Sequence, residues 1–317
     1  MIKDEDTLLK YIKKTIKTES NKIKKSIGDD CAVVKLSKQR YFVITTDTSL
    51  LGPHFTREYQ PRDIAYKSLA SNLSDIASMG CVPKYVLMAM TLPSLNDAWI
   101  KDFYKGLNIL MKKYNLALIG GDTNKGPISI TLQIIGENKS KVLCRDSAKI
   151  NDDIYVTGQL GLARAALIFK RKKQKNHFLR YKKNLHCPNP RVEVGVDISS
   201  IASSCIDISD GLSKDLKNIL LFSKKGAMIQ IDDIPTSRHL LETLNQTEIY
   251  EALLGGGEDY ELCFTAHKKF RQRISAIAKK NNLAITRIGI ITRKDLIFYK
   301  NGQVVTPDIK GFDHFQS

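Results

Sequence analysis

The residues in this chain best placed to do chemistry are aspartates set beside small residues. Asp29 and Asp30 lie in "IGDDCAVV", Asp47 in "ITTDTS", Asp75 in "NLSDIASMG", Asp122 in "IGGDT", and Asp207 with Asp210 in "IDISDGL". Asp47 and Asp122 each follow an apolar run that reads as a strand, the end at which α/β folds place ligands. Asp75 falls in a helical stretch between Leu73 and Ile76, near its buried face, where an unpaired carboxylate is costly. Asp210-Gly211 marks a helix start, so Asp210 taken alone reads equally well as a cap. Several carboxylates gathered in one place repel each other unless a cation neutralises them. Hard oxygen donors, the Thr45 and Thr46 hydroxyls beside them, and the lack of a His or Cys cluster point to Mg²⁺ rather than zinc. Mg²⁺ points in turn to phosphate.

The segment "LIGGDTNKGPISI" sharpens that reading. Gly121 and Gly126 have the spacing of a Walker phosphate loop, but Pro127 and Ile128 stand where Lys and Ser or Thr belong. Asp122 cannot meet a phosphate directly. A Mg²⁺ ion between the two resolves the repulsion, and glycine lets the backbone approach a nucleotide closely.

The elements that must position these acids alternate between strand and helix. "YFVITTD" (41–47) and "YVLMAMTL" (85–92) read as strands. A helix over 61–80 opens on Pro61, carries Ala65, Leu69, Leu73 and Ala77 at i+4 steps, and stops at Gly80. Residues 95–114 predict a second helix. "LALIGG" and "ISITLQIIG" predict a short strand, a glycine turn and a long strand. After "ENKSK" the pattern restarts: a strand at "DIYVTG", helices from Gly161, after Pro190, after "ISDG" and before "NNLAITRIGII", and an Asn-Gly hairpin at 301–302. We place a domain boundary at 138/139, giving two mixed α and β domains, 1–138 and 139–317.

The 317 residues suffice for two domains, and 42% hydrophobic and 26% charged residues suit a globular protein. No apolar run approaches the roughly 18 residues of a membrane span, and the N-terminus lacks a signal peptide's apolar block; the expected location is the cytoplasm. The six cysteines are scattered without a C-x-x-C pair, which fits buried reduced thiols. A net charge of +17 raises the alternative of nucleic-acid binding. The excess is concentrated in runs such as "KRKKQKNHFLRYKKN" (170–184), which lacks an RNA-binding aromatic motif and reads as a solvated helix or loop.

The blocks "IGDDCAVV", "TTDTSLLGPHF", "LSDIASMGCVPKYVLMAMTLP", "IGGDT", "VTGQLGLARAAL", "NPRVEVG", "IDISDGLSKDL", "LGGGEDYELCFT" and "GFDHF", in this order, resemble the thiamine-monophosphate kinases. That family lies in the superfamily of aminoimidazole ribonucleotide synthetase and selenophosphate synthetase. The resemblance implies a two-domain α/β synthetase-like fold whose N-terminal sheet pairs with a second subunit in a homodimer, and whose C-terminal domain covers the nucleotide. It implies ATP-dependent phosphorylation of thiamine monophosphate to thiamine diphosphate with several Mg²⁺ ions. Asp30, Thr45, Thr46, Asp47, Asp75, Asp122, Asp207 and Asp210 are then the metal ligands, with Asp47, Asp75, Asp122 and Asp210 acting in catalysis through the metal. Tyr104, Gly121, Asp122, Arg145 and Ser209 would contact ATP; His54, Glu258 and Phe312 would contact thiamine monophosphate. The chain departs from the family pattern at Ser49-Leu50-Leu51 and Pro53, and at Gly255, where Ser is common. Another ATP-using member of the superfamily is the alternative within enzymes.

Overall fold

The computed structural model describes residues 4–16, 20–307 and 309. After α1 (Glu5–Thr15), the first half forms a six-stranded sheet from β1 (Ile23–Lys25), β2 (Ala32–Lys35), β3 (Tyr41–Leu50), β4 (Cys81–Leu92), β5 (Ala117–Lys125) and β6 (Ser129–Asn138). Its strand order is β1-β2-β3-β6-β4-β5. Two helices, α2 (Pro61–Ser78) and α3 (Asp97–Lys113), accompany it.

The second half forms a seven-stranded sheet from β7 (Asp152–Thr157), β8 (Ala202–Asp207), β9 (Gly226–Gln230), β10 (Leu262–His267), β11 (Ile285–Thr292), β12 (Leu296–Lys300) and β13 (Gln303–Val305). Here the order is β13-β12-β9-β11-β7-β10-β8. Its helices are α4 (Leu162–Arg171), α5 (Lys175–His186), α6 (Val192–Ile198), α7 (Leu212–Ser223), α8 (Arg238–Thr243), α9 (Gln246–Leu253) and α10 (Arg271–Lys280). The expected α/β architecture is thus present, and the Asn-Gly turn closes the β12–β13 hairpin with both residues at positive φ.

Helix α2 organises the molecule. Pro61 at its first turn pre-sets φ where no N–H partner is needed. One side packs on β3, β6 and α3, the other on α6 and β8, so both flanks are covered. Residues such as Leu69, Leu73, Ile76 and Ala77 are fully buried. One hydrophobic core therefore runs from Val43 and Leu132 of the first sheet through α2 to Cys205 and Phe264 of the second. Gly195 of α6 lets the helices touch, because a Cβ there would overlap the Ala77 carbonyl.

Two strands differ from the sequence expectation. β4 starts at Cys81 rather than Tyr85, and the register shifts between Pro83 and Tyr85 because proline cannot donate to the ladder. β5 does not turn at its glycines. It continues through Gly121 and Asp122 to Lys125, pairing in parallel with β4, and the turn lies at Gly126–Pro127. All nine β5 residues are exposed, Leu118 and Ile119 among them.

The basic 170–184 stretch forms the end of α4 and most of α5. Lys170 pairs with Glu58 at 2.6 Å, Arg171 with Glu251 at 3.3 Å and Lys172 with Glu248 at 2.8 Å, as in a solvated charged face. Four cysteines are buried and two partly so, all free thiols.

Gly121 has φ +154, and a Cβ on it would overlap the Met88 carbonyl of β4. Gly121→Ala is expected to destabilise the fold by roughly 2–4 kcal/mol. Gly126→Ala, where a Cβ would meet only ordinary contacts with Thr91, is expected to stay within about 1 kcal/mol. Thermal unfolding of the two variants checks both values.

Candidate active site

Three of the expected aspartates converge. Asp30 enters from the loop before β2, Asp75 from the last turn of α2, and Asp207 from the end of β8. One carboxylate oxygen from each lies within 4.8 Å of the other two. Two oxygens across a single Mg²⁺ stand about 4 Å apart, so the spacing suits a hard divalent cation. Thr45 on β3 donates its hydroxyl to Asp75 Oδ2 at 2.5 Å, and Ser78 donates to Asp30 Oδ2 at 2.8 Å. Among the described residues, Asp207 Oδ2 is buried with no hydrogen-bond partner. An orphaned carboxylate oxygen facing other carboxylates is the kind of atom a cation satisfies.

The field at this point is strongly negative. Burial, then the charges of Asp47, Asp207 and Asp30, raise the Asp75 carboxyl well above its usual range. Burial and the Asp30 charge push Asp207 up to about 8. Asp29 is pushed up to about 6 by burial and Asp30, against the pull of Arg145. Arg145 is the compensating cation: its guanidinium pairs with Asp30 and stands 3.9 Å from Asp29. The Asp47 backbone N–H donates to Asn72 Oδ1 at 3.2 Å, tying β3 to α2.

A second group of residues abuts the first through two interlocked loops. The Ser209-Asp210-Gly211 turn is held by Asp215 Oδ2, which accepts all three backbone N–H groups at 3.0–3.1 Å. The Gly257–Tyr260 segment lies along it, with Glu258 N–H donating to Ser209 O and Tyr260 N–H to Ile208 O. Gly257 is required there, since a Cβ would overlap the Ser209 carbonyl. Glu258 itself is held at φ +71. Lys67 of α2, almost fully buried, pairs with Glu258 at 2.7 Å and donates to the His54 carbonyl at 3.0 Å. The His54 ring is set by Leu50, whose N–H donates to Nδ1 at 3.1 Å. The atypical Ser49–Pro53 stretch thus folds back on the end of β3. The buried Tyr260 phenol lies in the field of Glu258, Asp47, Asp207 and Asp75, and burial with those charges raises its pKa.

Other expected site residues lie apart from this group. Thr46 accepts a hydrogen bond from Gln133 on the face of the sheet opposite Thr45 and Asp47. Register runs from Thr48 through Thr131 and Ala89 to Asp122, so Asp122 shares that opposite face, three strands and about 14 Å away. Asp122 accepts hydrogen bonds only locally, from Thr123 N–H and Asn124. Gly121 is used for strand packing. Tyr104 on α3 sits edge-on to Phe103, with ring centroids 5.7 Å apart. Asp210, by contrast, belongs to the 209–211 turn described above and pairs with Lys214 at 2.8 Å. Phe312 and the "GFDHF" block lie outside the described residues.

Lys67, Asp215 and Tyr260 are the additions. Asp215 has a sequence signal, an acid one turn into a helix that can reach back to its own N-terminus. Lys67 has none, being one more lysine in a lysine-rich chain.

A cation at the cluster must displace the proton that Asp207 holds below about pH 8. At pH 6 Asp207 is protonated, and it ionises as the pH rises through about 8. Mg²⁺ affinity of the metal-free protein should therefore rise between pH 6 and pH 8, with proton release visible by calorimetry in buffers of different ionisation enthalpy. A pH-independent affinity without proton release would contradict the assignment. Lys67→Met leaves the Glu258 carboxylate without its partner and is expected to lower stability by roughly 1–3 kcal/mol, read by thermal unfolding.

Residues 28–137 match the N-terminal domain, and residues 149–300 the C-terminal domain, of AIR synthase related proteins. The chain is 42% identical over 321 aligned residues to thiamine-monophosphate kinase of Buchnera aphidicola subsp. Schizaphis graminum, covering 98% of both chains. It is 40% identical to the Escherichia coli K12 thiamine-monophosphate kinase over 91% of each. The solved structure of AaThiL complexed with AMPPCP and TMP superposes with a TM-score of 0.84 at 30% identity, over 98% of this chain and 97% of that one. The chain belongs to the thiamine-monophosphate kinase family of AIR synthase related proteins.

Proposed function

We propose that this chain transfers the γ-phosphoryl group of ATP directly to thiamine monophosphate, giving thiamine diphosphate, across the Asp30–Asp75–Asp207 cluster. The observation that carries this reading is the junction of that cluster with the Lys67–Glu258–His54 group. A phosphomonoester is largely dianionic at pH 7, its second pKa being about 6, so its oxygen attacks without a strong general base. This suits a site with no catalytic His-Asp pair among the described residues. The obstacle is the approach of two anions in a field already made negative by aspartates. Mg²⁺ held by Asp30, Asp75, Asp207 and Asp47, with Thr45 beside them, would supply charge neutralisation and in-line alignment.

The chain's own residues do the rest. Ser209 and Asp210 sit on a turn fixed by Asp215, which gives a rigid edge to the nucleotide side. Arg145 neutralises Asp30 in the ligand-free chain; as an ATP contact it would exchange that pairing for a phosphate. Glu258 and His54 are held at fixed positions on the acceptor side by Lys67. A division into residues 1–138 and 139–317 follows the two sheets.

We also infer a homodimer. The exposed β5 edge and the apolar Leu118 and Ile119 beside it favour pairing with a second copy. Asp122 cannot reach its own chain's acid cluster from the opposite sheet face. A second copy's Asp122, with Gly121 and Tyr104, could complete the site across such an interface. No helix among the described residues is long and apolar enough to cross a membrane, consistent with action in the cytoplasm.

Purified protein given thiamine monophosphate, ATP and Mg²⁺ should form thiamine diphosphate, and free thiamine should give none because it lacks the attacking phosphate. Asp75→Asn should lower kcat roughly 10–100-fold. Absence of product, or a labelled phosphoryl group trapped on the protein, would overturn the mechanism. Mixing the impaired Asp75→Asn and Asp122→Asn chains should restore part of the lost activity if each site draws on two copies.

A further inference from the structure

At the opposite end of β8 from Asp207 lies a cavity of about 390 Å³, lined at its mouth by Lys141, Lys149 and Lys269. Ser147, Ser203 and Phe270 complete the parts used here, and no Asp or Glu is among the lining residues. None of the three lysines forms an ion pair with a described residue. Lys141 instead donates to the Ser203 carbonyl at 3.4 Å, and Lys269 stands 5.0 Å over the Phe270 ring. Elsewhere on this basic surface Lys170 and Lys172, at the end of α4, pair with Glu58 and Glu248. Three ammonium groups without an ion-pair partner among the described residues surround one concave site, with the Ser203 hydroxyl and an aromatic wall, and form a receptor for a compact polyanion. The Ser147 hydroxyl donates to Asp146 Oδ1 at 3.3 Å. Ser203 is four residues from Asp207, about 13 Å along the strand. A ligand here is therefore separate from one at the acid cluster.

We propose that this cavity binds the diphosphate group of a small molecule, at a site distinct from the aspartate cluster. Lys149 and Lys269 would meet the terminal and bridging phosphate oxygens, Ser203 would contribute its hydroxyl, Ser147 would exchange its Asp146 partner for a phosphate oxygen, and Phe270 would offer a face to any ring the molecule carries. The carboxylates of the acid cluster repel such an anion when no divalent cation is present, so chelation separates the two sites experimentally.

Calorimetric titration of the full-length protein with inorganic pyrophosphate, in EDTA, tests this. The expected result is saturable binding of one pyrophosphate per chain. The double variant Lys149→Ala/Lys269→Ala should weaken it by at least roughly tenfold, the loss of a single charge-assisted hydrogen bond. Lys182→Ala/Lys183→Ala, on the basic face of α5, should leave it unchanged. Both variants remove exposed side chains, and circular dichroism checks that each is folded. No saturable binding, or equal weakening by the two double variants, would overturn the proposal. ADP and thiamine diphosphate, titrated in the same way, distinguish the sources of the group. Tighter binding than pyrophosphate that is lost in Phe270→Leu supports the ring contact, and failure of both to bind would contradict a diphosphate ester as ligand.

Discussion

Mutual repulsion among Asp30, Asp75 and Asp207 is the constraint on which the rest of the structure depends. Two unit charges within 4.8 Å of each other cost on the order of 3 kcal/mol or more at an effective dielectric of about 20. Three such pairs would consume much of a domain's net stability of about 5–15 kcal/mol. The ligand-free chain answers in three ways. Arg145 pairs with Asp30, hydroxyls of Thr45 and Ser78 donate to the carboxylates, and burial with the neighbouring charges raises the Asp75 carboxyl and pushes Asp207 up to about 8. Each of these arrangements can be replaced by a bound cation. The site is thus stable empty yet suited to a metal.

Holding the acids together falls to α2 and the core on either side of it. Asp30, Asp75 and Asp207 come from a loop, a helix and a strand end in different parts of the chain. Only the continuous core from β3 and β6 through α2 to β8 and β10 fixes their separation. The same helix supplies Lys67, so the metal side and the Glu258–His54 side share one rigid support. A site assembled on a packed helix keeps its geometry better than one assembled on loops alone. The two loops that do contribute, 208–211 and 257–260, are locked to each other by backbone hydrogen bonds and by glycines that allow close approach.

Much of this was legible in the sequence, and the failures have physical causes. The aspartates stood out because carboxylates beside glycine, serine and threonine are poor core residues with few other reasons to recur. Element types followed from apolar periodicity, which is strong in 41–47, 61–80 and 85–92. Which face of a strand a residue occupies was not legible. Thr45 and Thr46 look equivalent as letters, yet the two-residue period of a strand sends one to Asp75 and the other to the far side. The glycines of "IGGDT" read as a turn, because a sequence does not reveal that Met88 of a neighbouring strand needs the space. Lys67 was hidden for a similar reason: its role depends on Glu258, 191 residues away.

The central claim is that the three convergent aspartates form a divalent-cation site that serves phosphoryl transfer. The most direct test is a crystal structure with Mn²⁺ and AMPPCP, using anomalous scattering to locate the metal. The account predicts an anomalous peak within about 2.0–2.3 Å of oxygens from Asp30, Asp75 and Asp207, with the nucleotide phosphates on its open side. A nucleotide bound with its metal away from all three carboxylates would contradict it.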